Sequence, residues 1–184
     1  MSREQALQVL EAADLVCPVT AVSEALSRMA REISSELAAA FPLVLCVMRG
    51  GVIFAGQLLP LLRFPLEFDY IDVTRYGDAT RGGDMVWNVA PAPAVAGRVV
   101  LVLEDILDEG STLAAILERL IASGASRVFS AVFADKDTGR PKALKPDFTG
   151  VRLPNRYVFG FGMDVGGVWR NLPEIYALNE GGKE

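Results

Sequence analysis

The sequence predicts an α/β fold, an open, mostly parallel, twisted sheet flanked by helices and carrying a small C-terminal hood. Three observations predict it. Residues 43–48 (Leu-Val-Leu-Cys-Val-Met) and 99–103 (Val-Val-Leu-Val-Leu) are unbroken apolar runs, the mark of strands buried on both faces. Helical periodicity flanks these runs. Strand, helix and strand then follow in the order that right-handed crossovers connect. The 184 residues suit one domain, since domains run to about 150 residues. We assign 1–184 to a single domain, with a core over about 15–150 and a hood over about 150–184; the sequence leaves open whether the N-terminus joins the hood.

Residues 2–13 and 20–40 read as helices. In the second, Val22, Leu26, Met29, Ile33 and Leu37 form one apolar stripe, and Pro42 stops it. After the strand at 43–48, residues 52–62 look helical and end near Pro60 to Pro65. A strand is expected at 66–73. Thr74 to Asp84 is glycine-rich with alternating charge (Arg75, Asp78, Arg81, Asp84) and reads as a mobile lid. Pro91 and Pro93 mark a connection. The strand at 99–103 is followed by an amphipathic helix at 112–123, closed by Gly124, and a strand at 127–133. From about 150 the chain is loop-rich, with Gly160, Gly162, Gly166, Gly167 and three arginines. Trp169 is expected to pack this hood onto the sheet.

Composition narrows the chemistry. Lys plus Arg is 18 against 23 Asp plus Glu, a net charge of −5 and a pI of about 4.9. Such a chain has no basic footprint, so nucleic acid is not an expected partner. The two cysteines, Cys17 and Cys46, sit in apolar surroundings, which excludes a disulfide framework and suits a reducing cytoplasm. There is no histidine, which removes imidazole zinc sites, Ser-His-Asp triads and Cys-His dyads. Catalysis must run on carboxylates, Lys, Arg, Tyr, backbone dipoles or a hard metal ion. The N-terminal residues lack a signal pattern. Arg49, Gln57, glycines and prolines interrupt the most apolar stretch, 41–62, so a soluble chain without a membrane partner is expected.

The informative segment is 99–113, in which a hydrophobic strand runs into Glu104-Asp105, then Asp108-Glu109 and a Gly110-Ser111-Thr112 turn that opens a helix. In open α/β sheets ligands sit beyond the carboxyl ends of strands. A turn into a helix presents free amides and a positive dipole end to a phosphate, and Ser111 and Thr112 add hydroxyls. The carboxylates accept from sugar hydroxyls or bind a hard cation such as Mg²⁺. Acidic residues also cap helices, but capping needs one of them and four repel one another. A phosphate cradle beside a diol-and-metal site suits a phosphorylated ribose.

Glu104-Asp105-Ile106-Leu107-Asp108-Glu109-Gly110-Ser111-Thr112 closely resembles the phosphoribosyl-pyrophosphate motif of type I phosphoribosyltransferases. The wider resemblance, over about 42–176, is to the members that act on 6-oxopurines. It implies that Glu104 and Asp105 contact the ribose hydroxyls and a metal, and that Asp108 is the acid or base beside purine N7. It further implies that Glu109, Gly110, Ser111 and Thr112 hold the 5′-phosphate, largely through amides. The family usually has Thr where Glu109 stands.

Met48-Arg49-Gly50-Gly51 matches the family's pyrophosphate loop, with Arg49 and Gly50 as ligands and Arg where Lys is common. Arg75-Tyr76 falls where the family has a Ser-Tyr pair on a lid that excludes water. Lys136, nine residues before Lys145, has the spacing of the lysine that donates to purine O6. In the hood, the resemblance implies Tyr157 stacking on the base, Val158 offering backbone groups to its edge, Asp164 binding Mg²⁺ and Arg170 reaching pyrophosphate. Together these imply a Mg²⁺-dependent enzyme of purine salvage. It would move 5-phosphoribosyl from phosphoribosyl pyrophosphate to N9 of hypoxanthine or guanine, giving IMP or GMP and pyrophosphate. The family is usually dimeric or tetrameric, which implies a homo-oligomer. The alternatives are an enzyme acting on xanthine and a non-catalytic sensor of the sugar diphosphate on the same fold. A receiver-like domain also follows a strand with an acidic pair, but would open with that strand, whereas here the pair falls past mid-chain.

Overall fold

The computed structural model describes residues 1–75, 85–90 and 95–179. Helix α1 (Arg3–Ala12) and strand β1 (Asp14–Cys17) precede the long helix α2 (Val19–Leu37). Strand β2 (Leu43–Met48), helix α3 (Gly51–Leu58), a 3₁₀ turn at Leu59–Leu61 and strand β3 (Glu67–Arg75) follow. After β4 (Met85–Val89), the strand–helix–strand unit is β5 (Val99–Leu107), α4 (Ser111–Ala122) and β6 (Arg127–Lys136). β7 (Phe148–Leu153), β8 (Val158–Phe159) and β9 (Ile175–Ala177) complete the described chain.

The main sheet has six strands in the order β4-β3-β2-β5-β6-β7. β3, β2, β5, β6 and β7 pair in parallel, and β4 closes one edge antiparallel to β3. Each face is covered, as a parallel sheet requires. On one face the stripe predicted on α2 (Val22, Leu26, Met29, Ile33, Leu37) and Phe54 and Leu58 of α3 pack on Val44, Cys46, Leu101, Leu103, Ala131 and Phe133. On the other, Leu113, Ile116 and Leu120 of α4 pack on Leu45, Val47, Val100, Val102 and Val132. No described helix is long and apolar enough to cross a membrane.

Several boundaries differ from expectation. The helix expected to reach residue 40 ends at Leu37, because Phe41 takes a left-handed backbone (φ +46°) that turns the chain into β2. The core reaches Leu153, since β7 occupies residues assigned to the start of the hood. Gly150, inside β7, is a packing residue, for a Cβ there would lie 2.4 Å from the Phe133 carbonyl oxygen of β6. The hood is a three-stranded antiparallel sheet, order β1-β9-β8, so the N-terminus does belong to it. Trp169 donates from Nε1 to the Ala6 carbonyl of α1 at 2.8 Å. Arg156 adds a bond to Asp14 at 2.6 Å and one to the Leu178 carbonyl at 2.8 Å.

Candidate active site

The carboxyl ends of β5 and β6 and the first turn of α4 form the floor of the site. β5 runs to Leu107, so Glu104 and Asp105 lie inside the strand rather than after it. Neighbouring strand residues face opposite ways. Glu104 continues the Val100-Val102 row on the α4 side, and Asp105 continues the Leu101-Leu103 row on the α3 side. Beyond the strand, Gly110 takes φ +81° and swings the chain into α4, whose N-cap has no side-chain hydrogen bond. That conformation suits glycine, and the first-turn amides are left to an outside acceptor. A cleft of about 310 Å³ opens here, lined by Glu104, Asp108, Glu109, Gly110, Ser111 and Thr112 among others.

Asp105 sits where three segments meet. A Cβ on Gly50, the residue before α3, would lie 1.9 Å from the Asp105 carboxylate, and one on Gly162 would lie 2.1 Å from the Gly50 carbonyl oxygen. The pyrophosphate-type loop, β5 and the hood therefore touch through two glycines. Arg49 is exposed beside them. Arg170 donates to the Gly162 carbonyl at 2.7 Å and pairs with Asp164, which also accepts from the Gly167 amide at 2.8 Å. Burial lifts the Asp105 carboxyl to about 6; its own amide and that of Ile106, and then Arg170, pull it down, while Asp164 pushes it up.

Glu104 is the unsettled group. Among the described residues its Oε2 is buried without a hydrogen-bond partner, and burial, followed by the Asp105 charge, raises its pKa to about 8. Between about pH 4.5 and 8 the folded chain thus keeps a proton that the unfolded chain has lost, so stability falls as pH rises through that window. Glu104→Gln should remove this loss. Its thermal midpoint is expected to exceed wild type by roughly 3–10 °C at pH 8 and to approach it near pH 4.5. Melting curves at both pH values measure this, and an identical difference at the two would show that Glu104 does not carry the proton.

The three carboxylates assigned to a metal are not one donor set. Glu104 faces away from Asp105 across the strand, and among the described residues no three acidic or Cys side chains gather to hold an ion. Asp105 and Asp164 share a corner with Arg170. That corner fits a hard cation held by one or two carboxylates and completed by ligand phosphates, as Mg²⁺ prefers.

Lys136, the last residue of β6, reaches across to Asp108, with Nζ 3.0 Å from Oδ2. The lysine side chain is 14% exposed and the carboxylate 54%, so the acid fronts the cleft and the amine stands behind it. In the hood, Tyr157 is exposed and its hydroxyl donates to the Asp164 carbonyl at 3.1 Å. Val158 lies on β8, the hood's edge strand. The Leu178 amide bonds the Tyr157 carbonyl, so the Val158 backbone groups point away from β9, to the open edge. Tyr76 falls outside the described residues, and of Arg75 only the backbone at the end of β3 is described.

Two contributors escaped the sequence. Gly162 looked like one loop glycine among several; its contact with Gly50 spans more than a hundred residues and leaves no local pattern. Lys142 donates to the Leu107 carbonyl at 2.7 Å and to Asp135 Oδ1 at 2.5 Å, behind the turn. Its only sequence signal is a lysine in a proline-flanked loop.

Residues 18–165 match the phosphoribosyl transferase domain family. The chain is 32% identical over 158 residues to the hypoxanthine-guanine phosphoribosyltransferase of Bacillus subtilis, covering 85% of this chain and 88% of that protein. It is 38% identical over 138 residues to the protein of the same name from Lactococcus lactis, covering 74% and 75% of the two. It is also 35% identical to a segment of the bifunctional protein TilS/HprT of Listeria innocua, of whose length it spans 24%. Among solved structures, a hypoxanthine-guanine-xanthine phosphoribosyltransferase superposes with a TM-score of 0.74 at 32% identity, covering 90% of this chain and 94% of that one.

Proposed function

The chain belongs to the phosphoribosyltransferase family, and from that premise we propose that it is an enzyme of purine salvage. It transfers 5-phosphoribosyl from phosphoribosyl pyrophosphate to N9 of a 6-oxopurine, hypoxanthine or guanine, and releases pyrophosphate. The single observation that carries this reading is the Lys136–Asp108 pair at 3.0 Å beside an amide-lined turn. A donor and a proton acceptor on adjoining strand ends match the O6 and N7–H of a 6-oxopurine. In the structure they satisfy each other; a base bound between them would take both bonds.

The rest follows from position. The amides of Glu109 to Thr112, with two hydroxyls, hold the 5′-phosphate at the positive end of α4. Glu104 and Asp105 accept from the ribose hydroxyls, and the Asp105 carboxylate stabilises positive charge as it builds on the sugar ring. Glu104 has a free buried oxygen for such a bond. Arg49 and the Gly50 backbone, with Arg170, hold the pyrophosphate, and Arg supplies its bidentate fork there. A Mg²⁺ held by Asp105 and Asp164 would supply neutralisation of the pyrophosphate charge. Tyr157 stacks on the base, and Val158 offers edge backbone groups to it. Asp108 holds the N7 proton, and Lys136 polarises O6.

Xanthine is a further candidate base, since a relative from Tritrichomonas foetus, 35% identical, is named for hypoxanthine, guanine and xanthine. A spectrophotometric assay of each base with phosphoribosyl pyrophosphate and Mg²⁺ tests the reading. Turnover of hypoxanthine or guanine is expected, and none with any base would leave a sensor instead. Lys136→Ala should raise KM for the base by about 10–100-fold, the size of a charged hydrogen bond, and barely move that for the sugar diphosphate. Equal rises in both KM values would reassign Lys136 to structure.

A further inference from the structure

We propose that Lys142 is a positioning residue for the phosphate turn, fixing from behind the peptide that joins Leu107 to Asp108. The inference rests on the reading of this turn as the 5′-phosphate site and adds a residue that reading does not use. Lys142 is 15% exposed, and its ammonium donates to the Leu107 carbonyl at 2.7 Å while pairing with Asp135 at 2.5 Å. The next residue joins the grip: the Ala143 amide donates to the Glu109 carbonyl at 3.1 Å. Two successive residues of one loop thus hold two alternate carbonyls of the turn.

The geometry gives this grip a direction. The peptide bonds at these positions are trans, and in a trans peptide C=O and N–H point opposite ways. Drawing the Leu107 and Glu109 carbonyls back to the loop turns the Asp108 and Gly110 amides to the opposite side, away from the loop. Those amides belong to residues that line the cleft. The bond at Leu107 is charge-assisted, so it is stronger than the neutral bond at Glu109.

Lys142→Met keeps the apolar stem and removes the ammonium. Its KM for phosphoribosyl pyrophosphate should rise about 10-fold, the loss of one charge-assisted bond, while kcat and the KM for the base stay near wild type. Lys142→Arg should restore the wild-type KM. A lowered melting temperature with an unchanged KM for the sugar diphosphate would overturn the proposal, leaving Lys142 as a stability residue. So would equal rises in both KM values. If the Met variant fails to fold, Lys142→Gln serves, since its amide falls one bond short of Leu107; a wild-type KM there overturns the proposal equally. Wild type turning over a 6-oxopurine beside an unaltered Met variant removes this inference alone. A wild type without turnover removes the functional reading and this inference with it.

Discussion

Asp108→Asn should lower kcat by about 10²–10⁴-fold, the usual worth of a positioned acid or base. The substitution is nearly isosteric, and its amide oxygen can still accept from Lys136, whose Nζ stands 3.0 Å from the carboxylate in the native chain. The variant therefore keeps the corner folded and the base recognised at O6. What it loses is the ability to exchange the N7 proton as the bond to N9 forms. The KM for phosphoribosyl pyrophosphate should move little, because the turn amides remain. Steady-state kinetics with each substrate varied, beside melting curves to show that the fold persists, make the measurement. A kcat equal to wild type would take Asp108 out of the chemistry and leave it as a partner that orients Lys136.

Gly162→Ala should lower kcat/KM by about 100-fold or more, on the rule that a misplacement of about 1 Å at a reacting centre costs that much. The new methyl would lie 2.1 Å from the Gly50 carbonyl oxygen and 3.1 Å from its carbon, against backbone that has no rotamer to swing away. The hood and the loop at 48–51 must separate, and Arg170, bonded to the Gly162 carbonyl, moves with them. Overpacking and the unfavourable φ of +101° together should cost about 2–5 kcal/mol of stability. Gly97→Ala is the control, since Gly97 has φ +74° and, among the described residues, nothing lies within 4 Å of a Cβ there. It carries backbone strain without collision and lies away from the site. If the Gly162 variant loses no more activity than the Gly97 variant, the contact between hood and loop does not set the site.

The parts of the molecule legible in the sequence are those whose cause is local. β2 and the first half of β5 announce themselves because strands buried on both faces must be apolar throughout. The turn at 108–112 shows because glycine, hydroxyls and acids follow one another within a few positions. Lys136 could be placed by its spacing to Lys145. What escaped depends on distant partners. β7 carries Gly150, a residue that allows close approach to Phe133 and weakens the local strand signal. β1, β8 and β9 are two to four residues long and make sense only as a set. The hydrogen-bond partner of Trp169, the Ala6 carbonyl, lies 163 residues away and leaves no local pattern. The acidic pair was found, yet its division between the two faces of β5, with Glu104 orphaned and Asp105 cornered, needed the strand's true end.

The pairing of β1 with β9 has a consequence for biosynthesis. Leu15 faces Tyr176 across that ladder, about 160 residues later in the chain. At ribosomal speeds of about 5–20 residues per second, the first strand waits roughly 8–30 s for its mate to be made. The main sheet, complete at Leu153, can close during that interval. A nascent chain stalled just after β7 would then present a finished main sheet while β1 still lacked the strand it pairs with.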